Sequence, residues 1–303
     1  MRGDARLSLY RVKQVGTRLV TDTGVDFDES GYSRFKHGDG VMAARYGRAL
    51  AARLLAAVPD FAKPDDRIVI ASAPYKYLPT ASHALALGVR RVLNAALTGS
   101  GRRPAEIGAL RMSRVDSANY ARLGTASRGD LLSRANLHVD AAEFTGRHVV
   151  LVDDARITGL AEAAATELVT AAGARSVTAL YVVRIAGSFC PDIEDRMNHA
   201  FVRDLQSLLR VYRSGRFVLN IRTVKFLLGW PDRDELDRFF RRLTAAELSE
   251  IHTAARRTGP DFTRCYAESL RRLRVALLRT AAEGGGPPGS VPGRGVVRGG
   301  SCA

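Results

Sequence analysis

Hydrophobic positions along the chain change period more than once. Residues 1–38 keep no sustained rhythm and offer only short strand-like pieces such as Leu7–Val12. From 40 to 58 the spacing turns helical: Leu50, Leu54 and Val58 recur at i, i+4 and i+8, with Ala51 and Leu55 beside them. Pro59 ends that run. RIVIAS at 67–72 then reads as a short buried strand. The loop SAPYKYLPTAS follows, and Pro79 opens a predicted helix over 79–97. The segment 99–146 is polar and poorly periodic; one strand is predicted near 109–115 and a mobile loop around 117–136. HVVLV at 148–152 is the clearest strand in the sequence. Thr158 to Ala172 reads as a helix with Leu160, Ala164, Leu168 and Ala172 on one face and Gly173 as its C′ residue. SVTALYVVRI at 176–185 is a second buried strand.

Strands alternating with helices predict an α/β fold, a mostly parallel sheet flanked by helices and joined by right-handed crossovers. From about 190 only the helical period survives. Phe201, Leu205, Leu208, Leu209 and Tyr212 mark one helix and Asp234–Arg242 a second; Thr244-Ala245-Ala246-Glu247 is a capping box opening a third, and 261–280 makes a fourth. The division read from the sequence is therefore an irregular, hood-like N-terminal segment (1–38), an α/β domain (39–189), an all-helical C-terminal extension (190–282) and a Gly/Pro-rich tail (283–303). The tail lacks the apolar content to fold.

Composition narrows the class. An apolar content of 46% beside 25% charged residues is that of a globular protein, and no window approaches the ~18 uninterrupted apolar residues of a membrane span. The N-terminus carries Asp4 and no apolar core, so it is not a secretory signal and the cytoplasm is expected. Cys190, Cys265 and Cys302 lie far apart without metal-ligand spacing, and the histidines form no HExxH pattern. The outlier is charge: 46 Lys+Arg against 31 Asp+Glu, a formal net charge of +15. Such a field attracts anions, whether nucleic acid, phosphorylated metabolites or an acidic surface. Many of the arginines fall on helix faces, where a solvated role suffices.

The chemistry concentrates at HVVLVDDARITG, 148–159. Ligands of open parallel sheets bind beyond the carboxyl ends of the strands, and Asp153 and Asp154 occupy such an end. Ala155, Arg156, Ile157, Thr158 and Gly159 are predicted to form a turn whose amides face outward at the positive end of the next helix, a cradle for phosphate. Gly159 lets the backbone come close, the Thr158 hydroxyl adds a donor, and Arg156 is a candidate countercharge. Paired carboxylates suit two sugar hydroxyls and can recruit Mg²⁺ through its water shell. A ribose bearing a 5′-phosphate satisfies both halves. The plainer alternative is an acid that merely caps the following helix.

These residues resemble the type I phosphoribosyltransferases, whose site for phosphoribosyl pyrophosphate (PRPP) is an apolar run, two acids and a Thr/Gly-rich phosphate loop. VVLVDDARITGLA, 149–161, matches the apolar run, both acids, Thr158 and Gly159; it departs at Ile157, where a Thr or an acid is frequent, and at Ala161, where a hydroxyl is frequent. Those departures speak against hypoxanthine or guanine as acceptor. The chain is similar, more closely, to the ComF-like family that accompanies tellurium-resistance gene clusters. YSRFKHGD (32–39), SAPYKYLPTAS (72–82), DSANYARLGTASR (116–128) and DDARITG (153–159) look like its blocks in order, and RTVKFLLGWP (222–231) looks like its C-terminal half.

The resemblance implies transfer of a phosphoribosyl group from PRPP, with Mg²⁺, to a base-like small molecule, releasing pyrophosphate. It implies that Asp153 and Asp154 hold the ribose and, indirectly, Mg²⁺. Ala73, Pro74, Tyr75 and Lys76 would form the loop that grips pyrophosphate, often through a strained or cis peptide, with Lys76 as the cation. Tyr120 and Arg128 would lie on a hood that closes over the substrate, and Lys36 would face the site or pack at its edge. The resemblance also admits a homodimer. Two other classes stay open: a PRPP- or nucleotide-sensing regulator that binds nucleic acid, and an extension that docks partner proteins of a biosynthetic cluster. The extension shows no helix-turn-helix signature and few aromatics for base stacking, which disfavours the first.

Overall fold

The computed structural model describes residues 5–57, 66–114, 136–187 and 191–283. Its sheet contains β1 (Ala5–Val15), β2 (Arg18–Thr21), β3 (Ile68–Ser72), β4 (Glu106–Gly108), β7 (His148–Arg156) and β8 (Ser176–Ile185), ordered β2-β1-β8-β7-β3-β4. Every neighbouring pair is parallel except β1 with β2. Two short strands, β5 (Arg111–Met112) and β6 (Leu137–His138), pair antiparallel outside it. Of the strand predicted near 109–115 only β5 forms, two residues long, and the sheet's edge strand β4 precedes it.

The apolar runs explain the layering. β3 is buried along its whole length, as a strand covered on both faces must be. Ile68, Ile70, Val150, Val152, Leu180 and Val182 meet α2 (Gly40–Ala57) and α3 (Ala81–Gly99) on one face. Val149, Leu151, Val177 and Ala179 meet α4 (Leu160–Ala171) on the other, through Ala165 and Val169. Ala172 closes α4 and Gly173 follows at φ +84°, the left-handed C′ residue expected. α2 and α3 cross so closely that a Cβ on Gly47 would lie 2.9 Å from the Cα of Gly88.

The N-terminal segment is not irregular. β1 runs parallel to β8, with Leu7 beside Leu180, and turns back as β2; the helix α1 (Glu29–Lys36) follows, capped by the Asp28 carboxylate on the Gly31 N–H. Mixed exposure along β1 hid all but the piece Leu7–Val12 from periodicity.

Beyond β8 come α5 (Pro191–His199), α6 (Leu205–Tyr212), α7 (Ile221–Leu228), α8 (Arg233–Phe240), α9 (Ala245–Thr258), α10 (Pro260–Cys265) and α11 (Ala267–Glu283). They enclose a core of their own around Leu208, Leu227, Phe240, Leu248, Ile251 and Leu273. The Thr244/Glu247 capping box forms as read. The single helix expected over 261–280 is instead two, because the backbone leaves helical geometry at Tyr266 and α11 turns back along α9. The extension is stitched to the sheet domain by backbone: Gly40 N–H donates to Arg216 O (2.7 Å) and Val218 N–H to Gly38 O (2.9 Å). Among the described residues no helix is long and apolar enough to cross a membrane. The Gly/Pro-rich tail lies outside the described residues.

The Gly47–Gly88 approach predicts that Gly47→Val lowers stability by about 1–3 kcal/mol through overpacking, read as a lower urea midpoint. An unchanged midpoint would show that the two helices do not touch there.

Candidate active site

β7 does not stop before the acids. Its pairing with β8 continues through Asp153↔Tyr181, Ala155↔Val183 and Arg156↔Arg184. Ala155 and Arg156 therefore belong to the strand, and the predicted five-residue turn shrinks to Ile157, Thr158 and Gly159. α4 begins at Leu160 rather than Thr158. Gly159 adopts φ +82°, the left-handed geometry that a side chain would strain, and any Cβ there would meet the Arg156 guanidinium at 2.9 Å. Ile157 packs against the core beneath. Thr158 is exposed, its hydroxyl a long 3.4 Å from the Leu160 N–H.

Arg156 has a definite direction. Its Nε donates to Glu162 Oε2 at 2.6 Å, across the first turn of α4. The same carboxylate accepts from Tyr181 Oη (2.9 Å) and from Arg6. Burial penalises the Glu162 charge, and these three donors outweigh that penalty to lower its pKa. Arg156 thus fastens the turn to the helix.

The surroundings pull the two acids in opposite directions. Asp154 accepts from the Tyr32 hydroxyl and is ion-paired with the Lys36 ammonium, both on α1. Only 12% of the Lys36 side chain and 13% of the Asp154 side chain reach solvent, so this pair is largely withdrawn from water. Burial disfavours the Asp154 charge, but Lys36 and the hydrogen bonds from Asp153, Lys36 and Tyr32 hold its pKa down to about 2. Asp153 accepts from the Asp154 N–H at 2.9 Å. Burial and the adjacent charge push Asp153 well above the usual carboxylate range. The two adjacent carboxyls are therefore shifted in opposite directions, Asp153 upward by burial and its neighbour's charge and Asp154 downward by Lys36.

The loop after β3 carries the other predicted residues. Ala73, Pro74 and Tyr75 line its half-buried stretch; Tyr75 exchanges backbone hydrogen bonds with Leu110 and Met112 (both 3.2 Å) and lies under the Arg111 guanidinium, 4.8 Å from its ring centre. Every described peptide bond is trans, so the cis linkage the resemblance suggested is not found among the described residues. Lys76 is exposed, and its ammonium stands 3.3 Å from where a Cβ on Gly259 would be, against the start of α10. Tyr77 next to it bonds Arg257 (2.7 Å). Lys76 is thus directed at the helical extension. Tyr120 and Arg128 lie outside the described residues.

Lys36 resolves toward the site. Tyr32, which sequence reading passed over, is the residue it missed. The signal was available in YSRFK, because Tyr32 and Lys36 are four apart and share one helix face.

A sequence profile of the PRTase ComF-like family matches residues 4–271. The chain belongs to that family. The matched stretch includes the acid pair, the loop after β3 and the helix bearing Tyr32 and Lys36. No curated protein matches the chain. Among solved structures it is similar to a hypoxanthine phosphoribosyltransferase from Staphylococcus aureus, at 11% identity and TM-score 0.30 over 49% of this chain and 68% of that one. It is also similar to a glutamic acid mutant from an analysis of an invariant aspartic acid in HPRTs, at 16% identity and TM-score 0.34 over 50% and 75%.

The opposed shifts fix a pH signature. Asp154, depressed from about 3.9 in an unfolded chain, contributes stability above that value and loses it as pH falls toward 2. Asp153, raised when folded, does the reverse: its contribution is intact below about 4 and declines as pH rises through its folded pKa. Asp153→Asn should accordingly flatten the fall in urea stability as pH rises above about 4. Lys36→Met strands the Asp154 charge and should cost about 3–5 kcal/mol at pH 7, with a smaller loss at pH 4, where the carboxyl can take up a proton. Equal losses at both pH values would contradict the ion pair.

Proposed function

We propose that the chain is a phosphoribosyltransferase that binds PRPP with Mg²⁺ and passes the phosphoribosyl group to a base-like acceptor, releasing pyrophosphate. Family membership supports the reaction class. The observation that carries the reading at this site is the adjacency of the Asp153–Asp154 pair, held by Tyr32 and Lys36, to a left-handed glycine turn opening into α4.

In this reading Asp154 accepts from a ribose hydroxyl, and Asp153, its pKa raised by burial and the adjacent charge, either donates to the other hydroxyl or ionises as positive charge grows on the sugar. The 5′-phosphate rests on the turn Ile157–Gly159 and the first amides of α4, where the helix dipole favours an anion. Ile157 and Ala161 bring no hydroxyl, so the backbone supplies most of the grip. The C1–O bond to pyrophosphate breaks with its electron pair leaving on the diphosphate; the acceptor's lone pair forms the new bond to C1 and the acceptor then loses its proton. The protein acts by positioning and by electrostatics, not through a covalent intermediate.

Among the described residues no group of three or more His, Cys, Asp and Glu side chains could hold a metal ion. Two adjoining carboxyls, one already neutralised by Lys36, suit an ion that arrives on the diphosphate and keeps its waters, rather than one caged by protein. Asp153 and Asp154 would meet its water shell. Bound there, Mg²⁺ would neutralise charge on the departing pyrophosphate.

The test is calorimetry with PRPP and Mg²⁺ on the wild type and on Asp153→Asn/Asp154→Asn. Each lost charged hydrogen bond of about 1.5–3 kcal/mol should weaken binding about tenfold or more. Undiminished affinity in the double variant would remove the assignment. Incubation with PRPP and pooled nucleobases should release pyrophosphate and yield a ribotide detectable by mass; binding without turnover under every acceptor would favour the sensing role instead.

A further inference from the structure

At the carboxyl edge of the sheet, bordering the crevice of the acid pair, the strand register sets three arginines abreast. Arg11 of β1 pairs with Arg184 of β8, and Arg184 pairs in turn with Arg156 of β7. Paired residues on neighbouring strands point to the same face, and the strands stand about 4.8 Å apart, so the row spans about 10 Å. Its face is the one that carries α4, because Arg156 reaches Glu162 of that helix. Arg156 also fixes where the row ends: its Nη2 lies 2.9 Å from where a Cβ on Gly159 would be, against the glycine turn. Two positions beyond Arg11, Lys13 continues the row on the same side of β1.

Like charges directly opposite one another on adjacent strands repel. Glu162 answers that repulsion at one end only, and it is itself outnumbered, since Arg6 and Arg156 both bind it. Arg11, Lys13 and Arg184 are exposed, and among the described residues none of the three has an ion pair or a side-chain hydrogen bond. The Asp22 N–H donates to the Arg11 carbonyl at 2.9 Å, yet the Asp22 carboxylate pairs with no member of the row. Among the described strands no other ladder places two arginines or lysines side by side.

Cations held in line against their mutual repulsion suit an anion whose charges also lie in line. We propose that this row is a docking ridge for the phosphate backbone of a nucleic-acid strand, separate from the acid pair and from the helical extension. The arginine fork matches phosphate oxygens, and the net charge of +15 adds attraction at long range. An acidic protein would need apolar anchors to bind firmly, and Val15 at the end of β1 is the only large apolar side chain exposed on these three strands. Phosphate contacts need no such anchor. The aromatic rings of the three strands are turned inward, Tyr10 against Phe27 and Tyr181 into the core, so no base stacks along the row. The ridge therefore holds backbone and not sequence. The proposal does not rest on the PRPP reading.

The test is fluorescence anisotropy of a labelled oligouridylate with the full chain over a salt series. With Arg11, Lys13 and Arg184 each on a phosphate, the logarithm of the binding constant should fall against the logarithm of salt with a slope of about 2. Arg11→Gln/Arg184→Gln should lower that slope to about 0.7 and weaken binding about tenfold. Arg241→Gln/Arg256→Gln removes the same charge from exposed positions of the extension and should change binding less than about twofold. Equal weakening by both double variants would make binding a matter of net charge alone and overturn the ridge. Displacement of the oligouridylate by poly-glutamate at equal charge would assign the row to an acidic protein, and overturn it as well. A wild type that binds no oligouridylate at low salt would do the same. Calorimetry of Arg11→Gln/Arg184→Gln with PRPP and Mg²⁺ should match the wild type, so failure of the ridge leaves the PRPP reading standing, and the reverse.

Discussion

Two carboxyls on consecutive residues, both withdrawn from water, cannot both remain charged without a cation at hand. The protein meets that constraint by laying α1 against the end of β7, so that Tyr32 and Lys36 offset the Asp154 charge, while burial and that charge raise the pKa of Asp153. Much of the surrounding architecture serves this contact. Asp28 caps α1, Asn220 holds the carbonyl of Lys36, and β1 brings the segment leading to α1 into the sheet. The cluster of Arg156, Glu162, Arg6 and Tyr181 does parallel work on the other side of the turn. Binding of a sugar there would exchange internal partners for external ones, so part of the interaction energy is already present in the empty fold.

The sheet domain and the extension share backbone hydrogen bonds and a common boundary at the crevice, although each has its own apolar core. Lys76 and Tyr77 point from the loop after β3 toward Arg257 and Gly259, and Asn220 and Ile221 reach back the other way. Contacts running in both directions distinguish an integrated extension from a tethered one.

What the sequence revealed followed from burial. IVIAS and SVTALYVVRI are covered on both faces and so appear as unbroken apolar runs; the Thr244/Glu247 box and Gly173 are local devices that need no tertiary context. Of β1 only the piece Leu7–Val12 was read, because its residues are mostly half-exposed; β4 went unread because three residues carry no rhythm. At the site, the acids and Gly159 were legible as a local motif. The continuation of β7 to Arg156 was not, since it is imposed by pairing with β8 and not by anything in DDAR itself. The directions of Lys76 and Lys36 depend on partners 183 and 118 positions away, beyond any local pattern.

The pairing of β1 with β8 has a kinetic side. Leu7 finds its neighbour Leu180 only after nearly the whole α/β segment has been synthesised, so β1 is among the last strands that can dock. High contact order of this kind slows folding and leaves an unpaired edge exposed in the meantime. The ammonium that tames the acid pair arrives on the stretch that this late strand anchors. Charge neutralisation at the crevice is therefore coupled to closure of the sheet, and a nascent chain interrupted before residue 185 would carry its two acids without their counter-ion in place.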